Sequence, residues 1–504
     1  MRLRTPNTFP ATPSGLVPLA VILLLCAAFV GACTDDFVSI NDDPIEPTAV
    51  PEDLLFTRSL RKAMLDDFTW QVGEHLHPNM FVQHFANSTP SFNTDRYEVN
   101  NGWLTRYWDI AYTDYGKDIQ QVIEQTQGDP QKVNKLAQAR IWKVFVVHRL
   151  TDFFGDIPYS EAFQGDETPV YDPQEEIYRD LFAELDAAVA QFDPGQQDRF
   201  GSADVLYQDD VTRWQQFANS LRLRLALRVS AVDRGLAEQQ AQAAVNGPSG
   251  LIASNEASAR LLPSGGSRTE RNPLATVMGF QDSRVSQTLE TTLRDLNDPR
   301  LSVYIAPAVG DEFDERRGFP NGLTASQIQQ ENVARFSIAG EVFQTPSNPI
   351  SVLSHSEVRF LQAEAAVRGL TRGDPGALYE QGVEAVMQRY AVPSADVEAY
   401  LAQPEVAWDP ADSDDEKVRK IILQKWLALF GRSGFEAWSE YRRTGLPELQ
   451  PIGATSGGGT GGIVPRRVPY PESEDFLNTE NHEAAVARLG EGDTYLSRMW
   501  WDVE

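Results

Sequence analysis

The chain has 504 residues, a formal net charge of -28 at pH 7 and 41% hydrophobic residues. So negative a field repels phosphate backbones and anionic lipid, which argues against nucleic-acid binding. The two cysteines are Cys26 and Cys33. Because Cys26 lies in an N-terminal segment that we expect to be removed, the mature chain should hold neither a disulfide nor a cysteine-based metal site.

The N-terminus has the pattern of a bacterial lipoprotein signal. A start containing two arginines precedes an apolar run over residues 16–30, which is shorter than the ~20 residues of a membrane-spanning helix. The small residues Gly31 and Ala32 stand immediately before Cys33. We therefore predict that Cys33 is the lipidated first residue of the mature chain. An ordinary cleaved signal and an N-terminal anchor helix are the alternatives.

These features divide the chain into three parts. Residues 1–32 are predicted as the signal peptide, and residues 33–52, rich in proline and acidic residues, as a lipidated tether. Residues 53–504 have enough chain to bury a large core and contain no further apolar run of spanning length. We expect them to form the functional domain.

Helical patterns dominate that domain. In "VYDPQEEIYRDLFAELDAAVAQF", Asp172 is predicted as an N-cap, Pro173 as the first helical residue and Glu175 as the partner in a capping box. An apolar stripe at helical spacing follows, formed by Ile177, Leu181, Leu185, Ala188 and Phe192.

The same device recurs further along the chain, where Asp374 and Pro375 open a second helix. Each of these helices follows another, predicted over 133–151 and 354–369. The fold class is therefore predicted as mainly helical, a tetratricopeptide-like scaffold of helix pairs without a strict repeat.

Four segments are predicted as long loops, over 74–102, 246–282, 307–350 and 450–475. Loops of this length are uncommon in a compact domain and tend to be functional or disordered. We expect the first three to contribute to a binding face, and the last, which contains "GATSGGGTGG", to be flexible.

A search for catalytic patterns finds no G-x-S-x-G, Walker A or H-E-x-x-H sequence. His75, His77 and His84 have the only spacing compatible with a metal, and only on an extended segment, so no metal is expected. Acidic residues are too abundant to argue for or against a glycosidase. Arg442 and Arg443 are expected to bond to buried carboxylates or helix ends rather than to an anion.

Six motifs in order carry a family resemblance. They are "KLAQARIWKVFVVHRLTDFFGDIPYSEAF", "LNDPRLSVYIAP", "RRGFPNG", "VLSHSEVRFLQAEAAVRG", "IILQKWLALFGRSGFEAWSEYRRTGLPEL" and "VPRRVPYPESEDFLN". Together they closely resemble the SusD/RagB family of nutrient-binding outer-membrane lipoproteins, in its SusD-like branch. The resemblance covers essentially the whole mature chain.

The resemblance implies a function. Such proteins form a lid over a TonB-dependent transporter of the outer membrane and capture glycans, or sometimes peptides, without a cofactor. The pair Asp35 and Asp36 resembles the acidic signal that sends these lipoproteins to the cell surface.

An aromatic loop is the predicted ligand site. Sugar rings pack their apolar faces on aromatic side chains while polar groups bind the hydroxyls. Phe92, Tyr97 and Trp103 are interleaved with amides, at Asn87, Asn93, Asn100 and Asn101. Members of the family build part of their ligand face from a loop in this part of the chain. The alternative is that Tyr97 and Trp103 anchor the loop to the core.

The resulting hypothesis is a non-catalytic surface lipoprotein that binds an oligosaccharide and delivers it to a partner TonB-dependent transporter. A surface glycoside hydrolase or esterase, a structural outer-membrane assembly protein and a peptide-binding lid are the alternatives.

Overall fold

Helices form most of the chain in the computed structural model, which describes residues 50–98, 100–163, 167–308, 315–453 and 460–503. The helices up to residue 246 are α1 (Glu52–Met64), α2 (Asp67–Trp70), α3 (Asn101–Ile110), α4 (Gly116–Thr126), α5 (Val133–Phe154), α6 (Gln174–Gln191), α7 (Val211–Arg228) and α8 (Arg234–Asn246). Two π-helical segments, Gln71–Asn79 and Ala111–Tyr115, follow α2 and α3.

The remaining helices are α9 (Pro273–Phe280), α10 (Gln287–Asp295), α11 (Leu301–Tyr304), α12 (Ala325–Gln330), α13 (Glu341–Gln344), α14 (His355–Val367), α15 (Pro375–Arg389), α16 (Ser394–Leu401), α17 (Asp414–Leu429), α18 (Gly434–Thr444), α19 (Glu474–Leu477) and α20 (Thr479–Arg488). No helix in the described ranges is long and apolar enough to cross a membrane. Residues 52–504 form one compact unit.

Short antiparallel ribbons tie distant parts of the chain together. β1 (Phe85–Asn87) pairs with β5 (Ser283–Val285), β2 (Ile157–Pro158) with β3 (Tyr171–Asp172), and β4 (Ala259–Leu261) with β6 (Ile350–Leu353). In the first ribbon Ala86 lies opposite Arg284. This ribbon joins the segment 74–102, which was predicted as a loop, to the residues that directly follow the predicted loop 246–282.

The predicted helix pairs are present. Helices α5 and α6 pack together, as do α7 with α8 and α14 with α15. Close approach in the last pair depends on Gly382, because a Cβ atom there would lie 2.6 Å from the Phe360 ring. The mainly helical, tetratricopeptide-like fold class is therefore confirmed.

One predicted helix start is wrong and the other is confirmed. Asp172 lies in β3, where its carboxylate accepts hydrogen bonds from the backbone N–H groups of Tyr159 and Ser160 at 3.0 and 2.8 Å. The first N–H of α6, that of Gln174, instead donates to Asp156 at 2.8 Å. At α15 the carboxylate of Asp374 caps the helix as predicted.

The segment 74–102 is not the long loop that its composition suggested. It contains most of the first π-helical segment, with Pro78 inside it, then β1 and a 3-10 turn at Thr94–Arg96. The π-helical segment is held by the carboxylate of Glu74, which accepts hydrogen bonds from Arg149 at 2.6 Å and from the N–H of Phe435 at 2.9 Å. A buried carboxylate with these partners fixes the segment between α5 and the start of α18.

Charged side chains meet in the centre of the fold, in what we call the buried ion cluster. Its members come from α5, α7, α14, α17 and α18, and they are Asp152, Arg224, Arg228, Glu357, Glu364, Lys425, Glu436, Glu440 and Arg443. All are less than 6% exposed.

Arg228 is the most highly connected cation in this cluster. Its guanidinium contacts Asp152 at 3.2 Å, Glu436 at 2.7 Å and Glu440 at 3.1 Å. Burial alone opposes ionisation of Glu436, but the cations around it hold its pKa below the usual value. Glu436 therefore stays charged because the arginines and the lysine are present.

Arg442 and Arg443 confirm the structural interpretation of the arginine pair. Arg443 binds Glu364 through two hydrogen bonds, at 2.6 and 2.7 Å. Arg442 donates to the carbonyl oxygen of Asp152, in the last turn of α5, at 2.6 Å, and lies 3.5 Å from the centre of the Trp438 ring. Both guanidinium groups therefore make their contacts inside the fold.

Replacing Arg228 with methionine should destabilise the protein strongly, because three buried carboxylates lose a shared cation. We expect a loss of about 3–5 kcal/mol in the free energy of unfolding, measured by urea denaturation at pH 7. The matched control is Arg179→Met, which removes an exposed ion pair with Glu175 and should cost less than about 1 kcal/mol. Equal losses in the two variants would contradict this account.

Candidate functional site

Trp103 and Phe92 form an aromatic pair on the protein surface. Asn100 caps α3 by accepting a hydrogen bond from the N–H of Trp103 at 3.1 Å, which fixes the tryptophan in the first helical turn. The two rings are perpendicular, at 88°, with centroids 5.4 Å apart. Both side chains are half-buried. The pair therefore leaves apolar ring surface in contact with solvent.

Polar groups surround this pair, although not all of the predicted amides do. Asn100 and Asn101 are exposed, and Asn93 is half-buried with its amide donating to Glu98 at 2.5 Å. Asn87 is fully buried in β1, where it contacts Asp95. Two of the four amides, those of Asn100 and Asn101, are thus exposed to solvent.

Tyr97 does not belong to the exposed surface. Its side chain is 1% exposed, its backbone is left-handed with a φ of 61°, and its hydroxyl donates to the carbonyl of Phe81. The predicted ligand role is corrected for this residue, because a buried ring offers no face for stacking. The anchoring alternative describes Tyr97, whereas Trp103 packs against the core and remains half-buried.

Gln83 connects separate segments of the chain next to the aromatic loop, a role that the sequence analysis did not predict. Its side chain donates to the carbonyl of Gln450 at 2.7 Å and accepts from the N–H of the same residue at 3.0 Å. It also donates to the hydroxyl of Tyr97 at 3.2 Å. An isolated glutamine gives no sequence signal, because this role exists only once distant segments meet.

Two other predicted binding loops reach the aromatic loop. The N–H of Ser88 donates to the carbonyl of Asp282 at 2.9 Å, and Arg96 donates to the carbonyl of Leu323 at 3.3 Å. Segments around residues 282 and 323 therefore border the aromatic loop.

A cleft of about 610 Å³ opens beside the start of α3, and we call it the first cleft. Asn101 lines it and donates a hydrogen bond to Glu472 at 3.0 Å. Tyr470 and Tyr495 supply aromatic wall, and several carboxylates face the opening, from Glu472, Asp475, Glu491 and Asp493. This combination suits a neutral or cationic hydroxylated ligand and disfavours a phosphate.

The three histidines of the possible metal cluster have separate partners. His75 hydrogen-bonds with Ser283 at 2.9 Å, His77 with the Val72 carbonyl at 3.3 Å, and His84 with the Trp426 carbonyl at 3.0 Å. All three are buried among aromatic rings, and the His77 ring lies at 80° to that of Trp103. No group of three potential metal ligands comes together within the described part of the chain.

A mainly helical scaffold that presents an aromatic surface and an open acidic cleft is compatible with a binding protein. The comparisons with known proteins identify its family. A family model described as "Starch-binding associating with outer membrane" matches residues 44–471. The chain therefore belongs to the SusD-like family, whose description and structural neighbours are those of binding proteins rather than enzymes.

Solved structures agree with this assignment. A chitin-binding protein is 30% identical with a TM-score of 0.81, over 90% of this chain and all of its own. A chitin-binding SusD homologue from Flavobacterium johnsoniae is 31% identical with a TM-score of 0.81, over 90% and 98% of the two chains. A SusD homologue from Bacteroides vulgatus is 29% identical with a TM-score of 0.80, over 89% and 97%. No curated protein matches the chain.

The buried histidines predict a pH effect on stability. Burial lowers the pKa of His75 from 6.5 to about 3. Below pH 6.5, His75 binds a proton in the unfolded chain but stays neutral in the folded protein. The folded state therefore loses stability as pH falls toward 3. Between pH 6 and pH 4, the free energy of unfolding of the unaltered protein should fall by ~1.4 kcal/mol per pH unit more than that of the His75→Gln variant. Urea denaturation at a series of pH values measures this, and parallel curves would contradict it.

Proposed function

We propose that this chain is a cell-surface lipoprotein that binds an oligosaccharide and delivers it to a partner TonB-dependent transporter of the outer membrane, over which it forms a lid. The observation that carries the binding role is the perpendicular pair of Phe92 and Trp103, with exposed amides around it and the first cleft beside it. Family membership supports the location, because the family is described as associating with the outer membrane.

A sugar suits this surface chemically. The ring faces of Phe92 and Trp103 match the apolar face of a pyranose, and amides such as Asn101 both donate to and accept from hydroxyl groups. Two of the similar solved proteins are described as chitin-binding, and an amide-rich aromatic surface is compatible with such a polymer. These descriptions support a glycan over other nutrients for this chain.

A peptide is the second candidate cargo. Exposed Asn100 and Asn101 offer hydrogen bonds that suit an extended backbone as well as a sugar. The acidic residues of the first cleft, Glu472, Asp475 and Glu491, favour a basic peptide over an acidic one.

The partner transporter and the lipid anchor belong to this proposal through the family and the N-terminal sequence. The signal peptide, Cys33 and the tether up to residue 49 lie outside the described residues. The described domain begins with α1 at Glu52. The aromatic loop and the first cleft are formed by residues that follow this helix, so neither is part of the predicted tether to Cys33.

Replacing both Phe92 and Trp103 with alanine should weaken glycan binding at least about tenfold, since a loss of ~1.4 kcal/mol of stacking is tenfold in affinity. Titration calorimetry with the oligosaccharide selected on a glycan array measures the change. The control Phe192→Ala truncates a half-buried phenylalanine at the end of α6 and should leave affinity unchanged. Unaltered affinity in the double variant, with its fold confirmed by circular dichroism, would exclude this surface as the binding site.

Replacing Cys33 with alanine should abolish the incorporation of labelled fatty acid, because the thioether bond needs the cysteine sulfur. The control Cys26→Ala changes the cysteine inside the predicted signal peptide and should leave labelling intact. Labelled Cys33→Ala protein would refute lipidation at this residue.

A further inference from the structure

A second cleft lies close to the first cleft, and the two are connected through aromatic rings. Its volume is about 420 Å³, and Trp108, Tyr112 and Phe163 form its aromatic lining. The ring centroids of Trp108 and Tyr470 are 6.3 Å apart, and Tyr470 lines the first cleft. The two clefts are therefore separated by little more than one layer of rings.

The rings of this second cleft are held in fixed positions. Tyr112 donates its hydroxyl to the carbonyl of Pro158 at 2.8 Å, and Phe163 stacks on Tyr112 with centroids 5.5 Å apart and planes at 29°. Phe163 also lies against Gly116, where a Cβ atom would be 2.8 Å from the ring. Both aromatic side chains are nevertheless half-buried rather than enclosed.

Phe163 adopts a backbone conformation that a bulky residue rarely accepts. Its φ is +68°, in the left-handed region that favours glycine. Such conformations persist where the surrounding structure enforces them, and they are concentrated at binding sites. Here the conformation brings the phenylalanine ring over Tyr112 at the cleft.

Donors and acceptors stand around this aromatic floor. The exposed side chains of Lys117 and Glu167 line the cleft and make no ion pair with the described residues. The carboxylate of Glu474 also lines it and accepts a hydrogen bond from Tyr171 at 2.6 Å. A long apolar side chain placed here would remove an ammonium and carboxylates from water without replacing their hydrogen bonds. A pyranose has apolar faces that can pack on the aromatic rings and hydroxyl groups that can hydrogen-bond with the charged side chains around them.

We propose that the second cleft, built on Tyr112 and Phe163 with Lys117 and Glu167 at its rim, is a second carbohydrate-binding site. The inference rests on the proposed glycan-binding function and adds a site to it. Because Trp108 of the second cleft contacts Tyr470 of the first, the two clefts lie close together, and a sufficiently long glycan could contact both. Two linked contacts raise the affinity for long chains above that for short ones.

The test counts sites with short sugars. Titration calorimetry is performed on the intact chain in detergent with N-acetylchitotriose and with maltotriose. The unaltered protein should bind two equivalents of at least one of these trisaccharides. Phe163→Gly removes the ring at a position whose φ suits glycine, and should leave one equivalent. Phe163→Tyr keeps the ring and should retain two.

The matched control is Phe476→Ala. Phe476 is 83% exposed on the neighbouring helix α19 and does not line the cleft, so this variant should still bind two equivalents. Two equivalents bound to a folded Phe163→Gly protein would overturn the second site.

The outcomes separate this inference from the proposed function. A single equivalent that is lost in the Phe92→Ala, Trp103→Ala double variant and kept in Phe163→Gly supports glycan binding and refutes the second site. A single equivalent with the reverse pattern supports the second cleft and refutes the aromatic loop. Binding of neither trisaccharide by the unaltered protein overturns the second site as tested here, and the oligosaccharide selected on the glycan array then tests the proposed function separately.

Discussion

The buried ion cluster is the constraint on which the rest of this fold depends. Removing charges from water costs several kcal/mol per ion, and the mutual attraction of the charges offsets that cost only in a well-defined geometry. Arg228 contacts carboxylates from α5 and α18, while Arg443 joins α18 to α14. Helices that are distant in sequence can therefore pack in one arrangement that satisfies these charges, and the described residues, which include no cysteine, hold this arrangement without a disulfide.

A continuous series of contacts leads from this cluster to the proposed glycan surface. The N-terminus of α18 donates to Glu74, which fixes the first π-helical segment. That segment carries His77, whose ring is nearly perpendicular to that of Trp103, with centroids 6.1 Å apart. Gln83, four residues beyond the segment, hydrogen-bonds with the backbone of Gln450. Rigid contacts behind Trp103 preserve its orientation before a ligand arrives, which lowers the entropic cost of binding. Irregular segments present the site, and charged helices hold those segments in place.

The sequence predicted the helical scaffold well and the ligand surface only in part. Apolar spacing and the Asp374–Pro375 start are local signals, and both correspond to observed features. Asp172 failed as a helix cap because it bonds to the turn at Tyr159 and Ser160, a non-local competition that no local pattern reveals. Tyr97 looked equivalent to Phe92 in sequence, yet its left-handed backbone places its ring in the core. The Tyr112 and Phe163 cleft was missed because its rings come together only after folding.

The most direct test of the account is a combined glycan and peptide array on the purified chain from residue 34 onward, with mass-spectrometric analysis of each bound ligand after prolonged incubation. Capture of an oligosaccharide that is recovered intact is the predicted result, because the account assigns binding and delivery to this chain and no chemistry. Recovery of shortened or deacylated sugar would contradict the account by showing turnover. Capture of peptides alone would contradict the assignment of the cargo.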